Sequence, residues 1–358
     1  MGKWKILLVS ARWDRIRVPI YEATARGKHI PLLKTLLSNA CTNECKYCVF
    51  RRGYRIERRT WDKNELVRIT LYLWRRGVIK GIFLSSGIIK DPETTSEKQI
   101  EVAEELRRRG FTGYIHLRLM PGIPKDYVWR AAVVADRAGI NLETTSKHYF
   151  SEIAPDKGDY VNDVLKRLEW FSRALKILSK QRESLGVKVG YLRAGIDTQV
   201  MVGVVGESDL EHLKLSKELY RNYKLTRIYF SPFEPIIGTP FENKPPCPLD
   251  RVKRLYQATF LLRDYGFTLN DLKTILGDDN MIPNIDPKVA YAKVNKHMFP
   301  VNINEATFFE IVRIPGVGPI TAKKILEIRN IKGKITFEDL SRIVGRNRLK
   351  QVLKYITF

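Results

Sequence analysis

The stretch Leu33-Lys34-Thr35-Leu36-Leu37-Ser38-Asn39-Ala40-Cys41-Thr42-Asn43-Glu44-Cys45-Lys46-Tyr47-Cys48 carries a short apolar run straight into three cysteines. The run Leu33 to Leu37 predicts a buried strand, and the loop after it can wrap one centre and present three thiolates to it. Thiolates suit zinc and iron-sulfur clusters alike. Structural zinc takes four protein ligands, and the remaining cysteine, Cys247, stands about two hundred residues away among prolines. A cluster on Cys41, Cys45 and Cys48 keeps one iron open. Zinc completed from elsewhere, or cysteines without metal, are the competing readings. Three of the four cysteines fall within eight positions, which favours metal ligation over a disulfide framework.

Outward from this loop, short β-branched runs alternate with amphipathic segments from residue 33 to 231, the pattern of βα units around a parallel sheet. Strands are predicted at Leu33–Leu37, Gly81–Leu84, Gly113–Leu117, Ile140–Glu143, Thr198–Val202 and Arg227–Phe230. Helices are predicted at Lys63–Arg76, Glu97–Arg109, Asp126–Arg137, Asp159–Ser179 and Asp209–Tyr223. The fold class that follows is α/β, a full or partial (βα)6 TIM-like barrel. Proline-rich residues 232–248 break the pattern before a helix at Leu249–Tyr265. The predicted organisation is an N-terminal extension (1–32), the barrel (33–265), a connecting region with a helix near Pro287–Val294 (266–300), and a small all-α domain (301–358).

The chain has 358 residues and a formal net charge of +24. Such a surface attracts polyanions and binds phosphate backbones by releasing counterions, so nucleic acid is the leading partner class. A lysine- and arginine-rich surface of a heat-adapted protein is the bland alternative. No long uninterrupted apolar stretch suggests a membrane partner, and residues 1–10 lack the pattern of a secretory leader, so a cytoplasmic location is expected.

Active sites of βα barrels gather where the strands end, which singles out further residues. Ser85-Ser86-Gly87 follows the second strand, Glu143 ends the fourth, and Gln199 and Met201-Val-Gly203-Val-Val-Gly206-Glu207 lie at the fifth, with Arg193 just before it. Each has an ordinary counterpart: a strand-to-loop turn, a carboxylate paired with an arginine, a glycine turn touching no ligand. After Cys48, Arg51, Arg52, Tyr54, Arg55, Arg58 and Arg59 form a basic cluster interleaved with aromatics. Arginine forks hold phosphates and rings stack on bases, unless the cluster is a solvated loop. His116 and His148, near strand ends, read as hydrogen-bonded structural residues.

In the last domain, Asn304 is expected to cap a helix whose buried side is Phe308, Phe309, Ile311 and Val312. Ile314-Pro315-Gly316-Val317-Gly318-Pro319 then predicts a hairpin leading into a helix, Ile320–Arg329, that carries Lys323 and Lys324. Glycines at 316 and 318 let the turn expose its amides, and with the helix N-terminus these make a pocket for a backbone phosphate. Phe337–Ile343, Gly345-Arg346-Asn347-Arg348 and Leu349–Ile356 form a degenerate second copy.

The cysteine spacing, with Tyr47 just before Cys48, resembles the radical S-adenosylmethionine (radical SAM) superfamily. That resemblance implies a [4Fe-4S] cluster whose open iron chelates S-adenosyl-L-methionine, and a 5'-deoxyadenosyl radical on one-electron reduction. It further implies cofactor-binding roles for the residues on the rim. Ser85, Ser86 and Gly87 meet the methionine amino group, although many members have Gly-Gly-Glu there. Glu143 meets the ribose, Gly203 and Glu207 belong to the adenine segment, and either Arg193 or Gln199 faces the cofactor carboxylate. The C-terminal segment resembles the helix-hairpin-helix fold, with Gly316, Val317, Gly318, Lys323 and Lys324 holding phosphate; its alternative is a protein-protein packing unit.

From about residue 30 to 345 the chain resembles the DNA modification or repair radical S-adenosylmethionine proteins, a family described beside uracil-DNA glycosylases. The carrying segments include Phe83–Gly87, Gly113–His116, Asn141–Glu143, Ala154-Pro155-Asp156-Lys157, Arg254–Ala258 and Asp286–Lys288. The resemblance implies a radical enzyme acting on, or docked to, DNA, with an electron donor such as ferredoxin or flavodoxin. RNA modification by the same chemistry, and a non-catalytic DNA-binding iron-sulfur protein, are the alternatives.

Overall fold

Six parallel strands lie side by side in the order in which the chain makes them: β1 (Leu32–Leu36), β2 (Gly81–Ser85), β3 (Tyr114–Leu119), β4 (Arg137–Ile140), β5 (Ile196–Val202) and β6 (Arg227–Pro232). The structure is a computed structural model that describes residues 30–358. Residues 1–10, read for a leader, and all but the end of the expected extension lie outside the described residues. A parallel sheet that adds strands in sequence order, with helices between them, is the progression of a βα barrel. β1 and β6 form its two edges, so the barrel is partial.

Between the strands come α1 (Lys63–Arg75), α2 (Pro92–Arg108), α3 (Lys125–Val134), α4 (Lys147–Ile153) and α5 (Lys166–Leu185). Their starts are written in the sequence. Asp62 caps α1 by accepting from the Glu65 amide at 3.0 Å, and Asp91 caps α2 just ahead of Pro92, whose missing N–H costs nothing at a helix start. That Asp-Pro pair begins α2 five residues before the predicted Glu97. Asp159 caps a π-helical turn, Tyr160–Leu165, that runs on into α5. The expected strand Ile140–Glu143 is β4 at Arg137–Ile140, and the expected helix Asp126–Arg137 stops at Val134. Ala135 leaves the helix in extended conformation, and the apolar run that suggested more helix is already entering the sheet.

The chain divides into two compact units: one comprises residues up to Glu207 and Glu218–Leu249, the other Ser208–Lys217 and Asp250–Phe358. The second takes in the first part of α6 (Asp209–Arg221), α7 from Asp250 onward (Leu249–Asp264), α8 (Leu269–Lys273) and α9 (Pro287–Val294). Buried Asp209 explains the grouping, since it accepts from Arg251 Nε at 2.8 Å and from the Ile282 amide at 2.9 Å.

The remainder of that unit is β7 (Val301–Asn302), α10 (Phe308–Ile311), α11 (Pro319–Lys332), α12 (Phe337–Val344), α13 (Arg346–Val352) and β8 (Ile356–Thr357), which pairs with β7. Ile303, Ile311, Val312, Ile314, Ile325, Leu340 and Val352 fill its core. Asn304 does not cap α10. Thr307 does, in a reciprocal capping box with Glu310, while Asn304 exchanges hydrogen bonds with the Ile335 backbone. Phe309, expected inside, is 57% exposed because α10 is a single turn and only Phe308 and Ile311 of its aromatic and aliphatic residues face the core.

Candidate functional site

Cys41, Cys45 and Cys48 leave β1 on a loop that is tied down on several sides. The Glu44 amide donates to both oxygens of Asp156, at 2.8 and 3.0 Å, and the Lys46 amide to the Ile153 carbonyl at 2.8 Å. Ile153 ends α4 and Asp156 follows it, so one distant stretch braces the cysteines at two points. The Ile88 amide lies 3.4 Å from Cys41 Sγ, and the Phe50 amide 3.4 Å from Cys48 Sγ. Amides aimed at sulfur stabilise thiolate, and hydrogen bonds of this kind tune iron-sulfur centres.

All three cysteines line one cavity of about 200 Å³, together with Tyr47, Ser85, Ser86, Gly87, Met120, Asn141, Glu143, Lys157, Gln199 and Ser231. The strand ends therefore converge where expected. Gly87 comes so near the cysteine loop that a Cβ on it would stand 2.4 Å from the Ala40 carbonyl oxygen and 3.1 Å from Cys41 Cβ. Glycine here is a condition of close backbone approach.

Glu143 is buried and adopts a left-handed backbone, φ 67°, fastened by its amide to the Gln199 carbonyl and by its carbonyl to the Met201 amide. Its carboxylate pairs with Lys157. Burial alone would lower the Lys157 ammonium, but the Glu143 carboxylate and neighbouring Cys45 outweigh it and hold it above its ordinary value. Lys157 and Asp156 are functional candidates without an assigned role in the sequence; the quoted segment Ala154–Lys157 held the only signal.

Burial pushes the Cys45 thiol upward and Cys48 up to about 12, with Cys41 adding to both. Three thiolates cannot share this pocket without a cation, so the donor set fits a metal centre that displaces thiol protons. Among the described residues no group of three or more His, Cys, Asp and Glu side chains is arranged to hold a single metal ion, so the fit rests on donor chemistry alone. Cys247 does not line the cavity; it is buried against Gly203.

Other residues named from the sequence lie elsewhere. Gly203 and Glu207 do not line the cavity, and the buried Glu207 carboxylate folds back to accept from the amides of Gly203 and Val205. Arg193 pairs with Asp136. His116 is buried, stacked on Phe83 at 4.2 Å and 3.0 Å from Asp197, whereas His148 is exposed.

In the basic loop, Arg58 turns inward and donates to the carbonyls of Asn39, Phe50, Arg51 and Tyr54. It is the loop's fastener. Arg52 is largely exposed and reaches Glu44 at 3.0 Å, with Arg51 at 4.0 Å from the same carboxylate.

In the second unit Gly316 holds φ 90°, and its amide and that of Gly318 make no hydrogen bond among the described residues. Lys323 and Lys324 on α11 are exposed. The turn thus leaves two donors and two cations available beside a helix start.

Among the described residues no helix is long and apolar enough to cross a membrane. No curated protein matches the chain. Among solved structures, it is similar to methylornithine synthase PylB (15% identity, TM-score 0.49, covering 81% of this chain and 75% of that one). It is also similar to the FeFe-hydrogenase maturase HydG from Carboxydothermus hydrogenoformans (16%, 0.49, 96% and 84%). A third is the radical S-adenosylmethionine methyltransferase TsrM from Kitasatospora setae (13%, 0.43, 64% and 42%). At these values the likenesses assign no activity to this chain. Residues 297–356 match the family model of the helix-hairpin-helix motif.

Proposed function

We propose that this chain is a radical S-adenosylmethionine enzyme that carries a [4Fe-4S] cluster on Cys41, Cys45 and Cys48 and acts on nucleic acid, with DNA as the substrate. One observation carries the reading: three braced cysteines, without a fourth, share a cavity at the strand ends with serine, amide and carboxylate side chains. When bound, cluster and cofactor supply a 5'-deoxyadenosyl radical for hydrogen abstraction. The protein's part is positioning. Amides of Ile88 and Phe50 hold the sulfurs of Cys41 and Cys48, Gly87 gives the loop room, and the Glu143–Lys157 pair sets charge at the cavity wall. Ser85, Ser86 and Gln199 offer hydrogen bonds to the cofactor.

The helix-hairpin-helix match and the charge of +24 support nucleic acid as the partner. Phosphate contacts of this kind dock without reading sequence. Reversing both exposed lysines, Lys323→Glu with Lys324→Glu, should weaken duplex DNA binding and lower the slope of log affinity against log salt by about two. Anisotropy titrations at several salt concentrations measure this; an unchanged slope would remove the module from the phosphate contacts. Mass spectrometry of DNA or RNA after turnover with deuterium-labelled cofactor identifies the substrate.

A further inference from the structure

Beneath the hairpin lies a lysine outside the matched motif. Lys288, in the first turn of α9, is only 7% exposed, and its ammonium donates to the Val317 carbonyl, between the two glycines whose amides are free. It also stands 5.1 Å from the centre of the Tyr265 ring, at the end of α7. Among the described residues no carboxylate pairs with it: Asp286, at the start of the same helix, is engaged by the amides of Lys288 and Val289 and by the Gln257 side chain. An ammonium buried on a carbonyl and a ring face, without a counter-ion, is costly unless an anion comes to it.

We propose that Lys288 is a positioning residue of the hairpin, holding the Val317 carbonyl inward and supplying buried positive charge to the nucleic-acid phosphate that docks there. This rests on the nucleic-acid reading of the module. A phosphate on the outer side meets the amides of Gly316 and Gly318 directly, and the ammonium acts on it through the short Gly316-Val317-Gly318 segment. Burial lowers Lys288 to about 7, while the nearby Asp286 charge opposes that shift. Tyr265 is raised by its own burial and by Asp264 and Asp286, so it stays neutral alongside. A docking phosphate favours the charged lysine, so binding takes up a proton above neutrality and weakens as pH rises.

The test is an anisotropy titration of a fluorescein-labelled DNA duplex with the full-length chain at fixed salt, between about pH 6 and pH 8.5. Wild-type affinity is expected to fall about three- to tenfold across that range. Lys288→Arg, which stays charged, should hold its affinity at high pH, whereas Lys288→Met should bind weakly at both ends. His297 is common to all three proteins, so differences between them isolate Lys288. Identical pH profiles in wild type and Lys288→Arg would overturn the proposal while leaving DNA binding in place. Binding by none of the three would overturn the nucleic-acid reading as well. Should Lys288→Met fail to fold, the wild-type profile and Lys288→Arg still decide.

Discussion

Asparagine in place of Asp197 is expected to destabilise the barrel unit by about 3–5 kcal/mol, the cost of removing one partner from a buried charge cluster. Asp197 is fully buried on β5 and lies 2.6 Å from Arg118 and 3.0 Å from His116, which itself stacks on Phe83. Arg118 reaches on to the Asn141 side-chain oxygen at 2.7 Å, and Asn141 lines the cavity. The cluster therefore supports the cavity from within. Burial alone would raise the Asp197 carboxyl, but Arg118, His116 and Arg137 hold it well below the usual carboxylate range.

A depressed carboxyl contributes stability that is present above its unfolded value and lost as pH falls toward its folded one. Wild-type stability should accordingly decline below about pH 4, and Asp197→Asn should lose that part of the acid dependence. Among the described residues the tryptophans are Trp61, Trp74, Trp129 and Trp170, all in the barrel unit, so urea unfolding followed by tryptophan fluorescence reads that unit. An Asp197→Asn protein as stable as wild type at neutral pH would contradict the account.

Valine at Gly87 is the second large change, and it acts on the centre itself. Its Cβ would press on the Ala40 carbonyl and on Cys41, and both are backbone or near-backbone groups that cannot swing aside. The loop must move, at a cost of about 1–3 kcal/mol in strain. The Ile88 amide that meets Cys41 Sγ moves with it. The expected result is a folded protein that retains less than about half the iron and sulfide of wild type after reconstitution, with correspondingly weaker visible absorption. Equal loading would mean that the close approach of Gly87 is not needed to shape the cysteine loop.

The strand order and the convergence of strand ends were legible because apolar runs and helical periods alternate so regularly, and because barrel sites form where strands end. Ser85, Gly87, Glu143 and Gln199 come to the cavity on that rule alone. What escaped is long-range. Asp156 bracing Glu44, Lys157 pairing with Glu143, and Arg58 gathering four carbonyls join segments whose sequence spacing carries no period. Gly203 and Glu207 lie off the cavity, and their local pattern is ambiguous for a related reason. A carboxylate that closes its own glycine turn has the same local pattern as one waiting for a ligand. Asn304 and Thr307 are both good caps, and the capping box with Glu310 decided between them.

The measurement that bears most directly on the central claim is formation of 5'-deoxyadenosine. Wild-type protein and a Cys45→Ala variant are reconstituted anaerobically with iron and sulfide, then given a reductant and S-adenosylmethionine, with and without DNA or RNA. Wild type is expected to form 5'-deoxyadenosine and Cys45→Ala none above background; equal background from both proteins under every condition would contradict a radical-forming centre on these cysteines.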